Sequence, residues 1–121
     1  MPVVRADELA YAELPGRQSA DPVPPGLGSD YSVRVVRVPP GPRTPHLHPH
    51  TDEVTYVVSG TGVAWEGDQP TPVGPGDLVF VPRGVDHATV TYDEAGLVLL
   101  CFFPRSDLAG NIVELDGPLR A

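Results

Sequence analysis

Between Ser32 and Phe103 the chain is cut into Val-rich and β-branched runs of three to seven residues by clusters of Gly, Pro and Asp. The cuts fall at Pro39-Pro40-Gly41-Pro42, Gly60-Thr61-Gly62, Gly67-Asp68, Gly74-Pro75-Gly76-Asp77, Pro82-Arg83-Gly84 and Asp93-Glu94-Ala95-Gly96. Runs this short cannot develop a helical face. Glycine supplies positive φ and proline removes a backbone donor, so each cut favours a turn. The intervening runs read as strands: Ser32–Val38, Thr44–His48, Glu53–Ser59, Val63–Glu66, Thr71–Val73, Leu78–Val81, Asp86–Thr91 and Leu97–Phe103. Short strands at this spacing predict an all-β, antiparallel sandwich or barrel.

Composition agrees. Gly 13 and Pro 16 make up about a quarter of 121 residues, a share that approaches disordered chains. Here they punctuate apolar runs instead of replacing them. The length suits one domain with a real core. Residues 1–30 are expected to form an N-terminal arm, with Ala6–Leu14 a short helix or an extended segment and Gln18–Ser29 a loop. Residues 31–104 form the barrel, and 105–121 a tail.

Several strands are apolar on both faces. In Glu53–Ser59, Glu53, Thr55 and Val57 share one face and Val54, Tyr56 and Val58 the other. A sheet with one wet face alternates more cleanly, so a covering layer is expected, most simply a homodimer partner. The net charge of −8 opposes phosphate binding and argues against nucleic acid. The single Cys101 forms no internal disulfide, and the acidic N-terminus lacks the apolar stretch of a signal peptide. No apolar run reaches about 18 residues, so no membrane-spanning helix is expected. A cytoplasmic protein is the default expectation.

The chemistry concentrates in three of the four histidines. His46 and His48 project from one face of an extended segment, because strand side chains alternate. Their imidazoles can close on one metal ion, with Glu53 supplying oxygen and His87 a fourth donor. Asp52, next to Glu53, points the other way. His50 extends the pattern to His-x-His-x-His, and a shifted pair of His48 and His50 would leave Glu53 only two residues beyond it. Imidazole and carboxylate donors suit Fe, Mn, Zn or Ni and do not choose among them.

These residues resemble the cupin superfamily. Its first motif, G-x(5)-H-x-H-x(3,4)-E-x(6)-G, is matched by Gly41, His46, His48, Glu53 and Gly60, with one residue fewer after Gly41. Its second, G-x(5)-P-x-G-x(2)-H-x(3)-N, is matched by Gly76, Pro82, Gly84 and His87, with Thr91 in place of Asn. Fifteen residues, Thr61 to Pro75, separate the two. The resemblance implies a double-stranded β-helix, or jelly-roll barrel, holding one divalent metal per chain on His46, His48, Glu53 and His87.

Thr55, Trp65, Phe80 and Thr91 are the candidate pocket residues. Thr91, four residues after His87, is expected on the same side of its strand. Phe80, Phe102 and Phe103 also read as core, and Cys101 as inert core. Arg43 and Arg83 border the motif loops and read as solvated charge, with an anionic substrate as the alternative. Tyr56 opposes Glu53 in parity and is expected to pack. Three functions fit a small-molecule ligand: an Fe(II) or Mn(II) oxygenase, expected first; a redox-neutral isomerase, cyclase or lyase; and a binding module without turnover. There is no Lys, so a general base would be Glu, Asp, Tyr, a free His or metal hydroxide.

Overall fold

The computed structural model describes residues 1–121. Eleven strands and two single 3₁₀ turns make up its regular structure. The strands are β1 (Tyr11–Leu14), β2 (Arg17–Ala20), β3 (Ser32–Val38), β4 (His46–Leu47), β5 (Glu53–Ser59) and β6 (Gly62–Glu66). They continue with β7 (Gln69–Val73), β8 (Leu78–Val81), β9 (His87–Val90), β10 (Leu97–Phe103) and β11 (Val113–Glu114). Two antiparallel sheets face each other, one ordered β1-β2-β3-β10-β5-β8 and the other β11-β4-β9-β6-β7. This is the jelly-roll architecture expected. No helix is long and apolar enough to cross a membrane.

The runs read as strands at β3, β5, β8 and β10 fall on the expected residues. The arm does not form a helix. Ala6–Glu8 is one 3₁₀ turn, and Tyr11–Ala20 is a hairpin closed at Pro15-Gly16. Its β2 pairs with β3, through Gln18↔Arg37, Ser19↔Val36 and Ala20↔Val35. The hairpin therefore lengthens the larger sheet, because pairing to β3 satisfies backbone groups that a four-residue helix end would leave open.

Strand parity places the core. Val57 of β5 and Leu97, Leu99, Cys101 and Phe103 of β10 point inward with Val36 and Val38 of β3, and all are buried. Glu53 and Thr55 share the inner face of β5 and are buried too. The outer face carries Tyr56 and Leu78, Leu100 and Phe102, and Phe80, all exposed. Across the strands these form two rows, Leu78–Tyr56–Leu100 and Phe80–Val54–Phe102. Phe80, at 67% exposure, and Phe102 are thus not core, against the sequence expectation; only Phe103 is. Phe80 sits between the inward-facing Val79 and Val81, so alternation turns it out.

Two motif glycines hold the turns. Gly60 (φ +85°) ends β5, and Gly76 (φ +90°) precedes β8. At Gly60 a Cβ would meet the Gly96 carbonyl oxygen at 2.2 Å, so the residue is fixed by space as well as by conformation.

Candidate metal centre

Four side chains from three places in the sequence meet inside the barrel. β4 delivers His46 and the residue after it delivers His48. Glu53 opens β5, and His87 opens β9. The β4–β9 pair sets His46 opposite His87 in register. Each residue offers a donor atom within 4.8 Å of the others, and all four residues are buried. The imidazole centroids of His46 lie 5.2 Å from His48 and 4.3 Å from His87.

The groups around these rings orient them. His48 Nδ1 lies 2.9 Å from the carbonyl oxygen of Asn111, and His87 Nδ1 lies 2.9 Å from that of Val85. A carbonyl only accepts, so each Nδ1 carries a proton and each Nε2 is turned toward the centre, that of His87 lying 3.2 Å from Glu53 Oε1. His48 Nε2 is 3.0 Å from Glu53 Oε1 but is not aligned as a hydrogen bond, and it is buried without another partner. His46 Nδ1 is likewise buried and unpartnered. Orphaned imidazole nitrogens around a carboxylate are costly in a core and fit a metal-binding set.

The charge states suit the same reading. Burial, with His87 beside it, drives His46 far below the ordinary imidazole range, so it is neutral. Burial alone raises a carboxyl, but contacts from His48, His87 and Thr55 outweigh it and hold Glu53 well below the usual carboxylate range. Burial lowers His87, and the Glu53 contact more than offsets it, so His87 is raised. The Thr55 hydroxyl donates to Glu53 Oε2 and lies 3.3 Å from Cys101 Sγ. Burial, then the Glu53 charge, pushes the Cys101 thiol well up, so it stays protonated.

A cavity of about 410 Å³ opens onto all four residues. Its wall includes Leu14, Arg17 and Ser19 of the N-terminal hairpin and Leu108 and Ile112 of the tail. Sequence reasoning missed this wall. The Pro15-Gly16 dipeptide between two short alternating runs was the available signal of a hairpin. A second cavity of about 220 Å³ also reaches Glu53 and His87, and Thr55, Trp65 and Phe80 border this one. Thr91 borders neither: its hydroxyl donates to Thr61 O at 2.6 Å and accepts from Asp93 N–H at 3.0 Å, tying a turn. β9 stops at Val90, so the alternation that placed Thr91 beside His87 does not extend to it.

His50 is exposed, and Asp52 faces out to Arg83, whose N–H it accepts at 3.0 Å. Arg83 is the solvated charge expected. Arg43 is not: it is 5% exposed and lines the larger cavity.

Comparison with known proteins agrees with this geometry. A family model for the cupin domain matches residues 34–103. Over 86 residues the chain is 37% identical to dimethylsulfoniopropionate lyase DddQ of Ruegeria pomeroyi, covering 69% of this chain and 41% of that protein. It therefore spans less than half the length of that relative. KdgF from Halomonas sp. superposes with a TM-score of 0.73 at 25% identity, covering 89% of this chain and 99% of that one. The polyketide cyclase RemF from Streptomyces resistomycificus shares the fold, with a TM-score of 0.74 at 23% identity and coverage of 99% and 84%. A jelly roll whose two motif segments bring three histidines and a glutamate to one buried point, matched by that family model over most of the barrel, makes this chain a member of the cupin family.

Proposed function

We propose that the protein is a divalent-metal-dependent enzyme that acts on a small molecule without net redox change, of the lyase, cyclase or isomerase kind. The observation that carries this reading is the convergence of His46, His48, Glu53 and His87 on one wall of the 410 Å³ cavity. These four residues would hold one Fe, Mn, Zn or Ni ion per chain. Bound there, the ion supplies a Lewis acid that polarises a substrate oxygen and acidifies water.

The chain's own contribution is positioning and exclusion of water. Asn111 and Val85 fix the tautomers of His48 and His87. Half the cavity wall is hydrophobic, which dries the site and strengthens its electrostatics. Besides Glu53, Asp21 is the only carboxylate on that wall. Its Oδ1 accepts from Val23 N–H at 2.9 Å and its Oδ2 faces Arg34 at 3.4 Å, so both of its oxygens are already engaged. The 37% identity to a lyase supports the redox-neutral chemistry over the oxygenase expected first.

The oxygenase reading draws on the same four donors, which leave open positions on a six-coordinate ion, and on the dry wall. Metal analysis of purified protein, followed by product and dioxygen measurements on metal-loaded protein, separates the readings. Turnover with no oxygen uptake supports the proposal. Oxygen uptake matched to product replaces it with an oxygenase. Tight binding of a small molecule with no conversion makes the protein a binding module.

The reading includes a homodimer. The rows Leu78–Tyr56–Leu100 and Phe80–Val54–Phe102 contain no charged residue, and an apolar patch of this kind on a second copy matches them.

A further inference from the structure

Glu53 divides its two oxygens between two neighbourhoods. Oε1 lies 3.0 Å from His48 Nε2 and 3.2 Å from His87 Nε2. Oε2 accepts from the Thr55 hydroxyl, and Thr55 Oγ1 lies 3.3 Å from Cys101 Sγ. The larger sheet builds this arrangement. Glu53 and Thr55 stand two residues apart on the inner face of β5, and Cys101 of β10 is directly opposite Thr55 in register. All three side chains are buried.

Proton count sets the direction of these contacts. A hydroxyl has one proton and an ionised carboxylate has none. The Thr55 proton goes to Oε2, which leaves Oγ1 as an acceptor facing the Cys101 thiol. The thiol, a weak donor, therefore fills the free side of Oγ1 and keeps the hydroxyl turned toward Glu53. A carboxylate with two free oxygens can turn about its last bond or offer both to an ion. Here one of them is already taken.

We propose that Thr55, oriented by Cys101, is a positioning residue for Glu53: its hydroxyl occupies Oε2, so that Oε1 alone is offered to an ion held with the three histidines. The consequence for the ion rests on the metal-site reading above, whereas the hydrogen bonds from Cys101 to Thr55 and from Thr55 to Glu53 do not require the ion. Removing the hydroxyl frees Oε2, and the donor set loses an orientation fixed before any ion arrives.

The test has two arms. In metal-free full-length protein the infrared S–H stretch belongs to Cys101 alone, because the chain has one cysteine. A thiol that donates absorbs at lower frequency than a free one. The stretch is expected at the lowered position in wild type and Thr55→Ser, and at the free position in Thr55→Val, which keeps the branched shape without the hydroxyl. A free-thiol stretch in wild type, or no difference between wild type and Thr55→Val, overturns the proposal. In the second arm zinc affinity, measured by chelator competition, is expected to fall about tenfold in Thr55→Val and to stay near wild type in Thr55→Ser. A role in packing alone would cost Thr55→Ser, which lacks the methyl, as much or more, so that outcome overturns the proposal. The infrared difference between zinc-loaded and zinc-free wild type is expected to show the wide carboxylate splitting of ligation through one oxygen. The narrow splitting of a carboxylate that gives both oxygens refutes the assignment. If Thr55→Val does not fold, the wild-type S–H stretch decides. Failure of wild type to take up zinc refutes the metal reading, and the metal-free S–H measurement still decides this one.

Discussion

His48 Nδ1 lies 2.9 Å from the backbone oxygen of Asn111, a residue 63 positions later in the chain. The tail thereby sets the tautomer of the histidine that follows β4. Asn111 is itself buried, and its side-chain Oδ1 accepts the His50 N–H at 2.9 Å, so it anchors both ends of the His48 segment. Asn111→Ala keeps the backbone acceptor and loses the side-chain anchor. We expect zinc affinity, measured by chelator competition, to fall about tenfold, in the range typical of groups that orient ligands. An unchanged affinity would show that the Asn111 side chain does not help to position His48.

Metal binding should weaken as pH falls. All three imidazoles must be neutral to bind, and the Glu53 contact that raises His87 favours its protonated form, so protons compete with the ion there. His46 is lowered by burial and adds no such competition. Affinity is therefore predicted to rise with pH across about 5 to 8, with protons released on binding. Calorimetry in two buffers of different ionisation enthalpy reads that release. A pH-independent affinity would contradict the donor set.

Gly60 and Gly76 share a positive φ and differ in surroundings. At Gly60 an added Cβ meets the Gly96 oxygen at 2.2 Å, whereas at Gly76 nothing lies within 4 Å. Gly76→Ala should cost only the conformational preference, about 1–2 kcal/mol. Gly60→Ala should cost clearly more, because backbone must shift as well. Denaturant unfolding of the two variants provides the comparison, and equal losses would refute the close approach.

The outer apolar face yields an assembly prediction. Leu100 and Tyr56 are adjacent across β10 and β5, both exposed. Leu100→Glu places a charge there and should convert a dimer to a monomer in sedimentation with the fold retained. A wild-type monomer at the same concentration would refute the homodimer.

The strands that carry the barrel were legible because their chemistry is local. Glu53–Ser59 and Leu97–Phe103 are β-branched or apolar runs between turn residues, and alternation alone put Glu53 and Tyr56 on opposite faces. The clustering of His46, His48 and Glu53 was legible for the same reason, since the two histidines precede Glu53 at fixed spacing. The remainder depends on distant partners. β11 is two residues long and exists because it pairs with β4, and the hairpin Tyr11–Ala20 is held by β3. Arg43 follows a proline-rich turn and reads as surface charge, yet pairing with Arg120 takes it inside. No local pattern announces a contact between positions 43 and 120.

The central claim is that His46, His48, Glu53 and His87 hold one metal ion. Elemental analysis of the wild-type protein beside His48→Ala tests it most directly. The account predicts roughly one equivalent of a divalent metal per wild-type chain and a marked loss in the folded variant. The same metal stoichiometry in both proteins would contradict it.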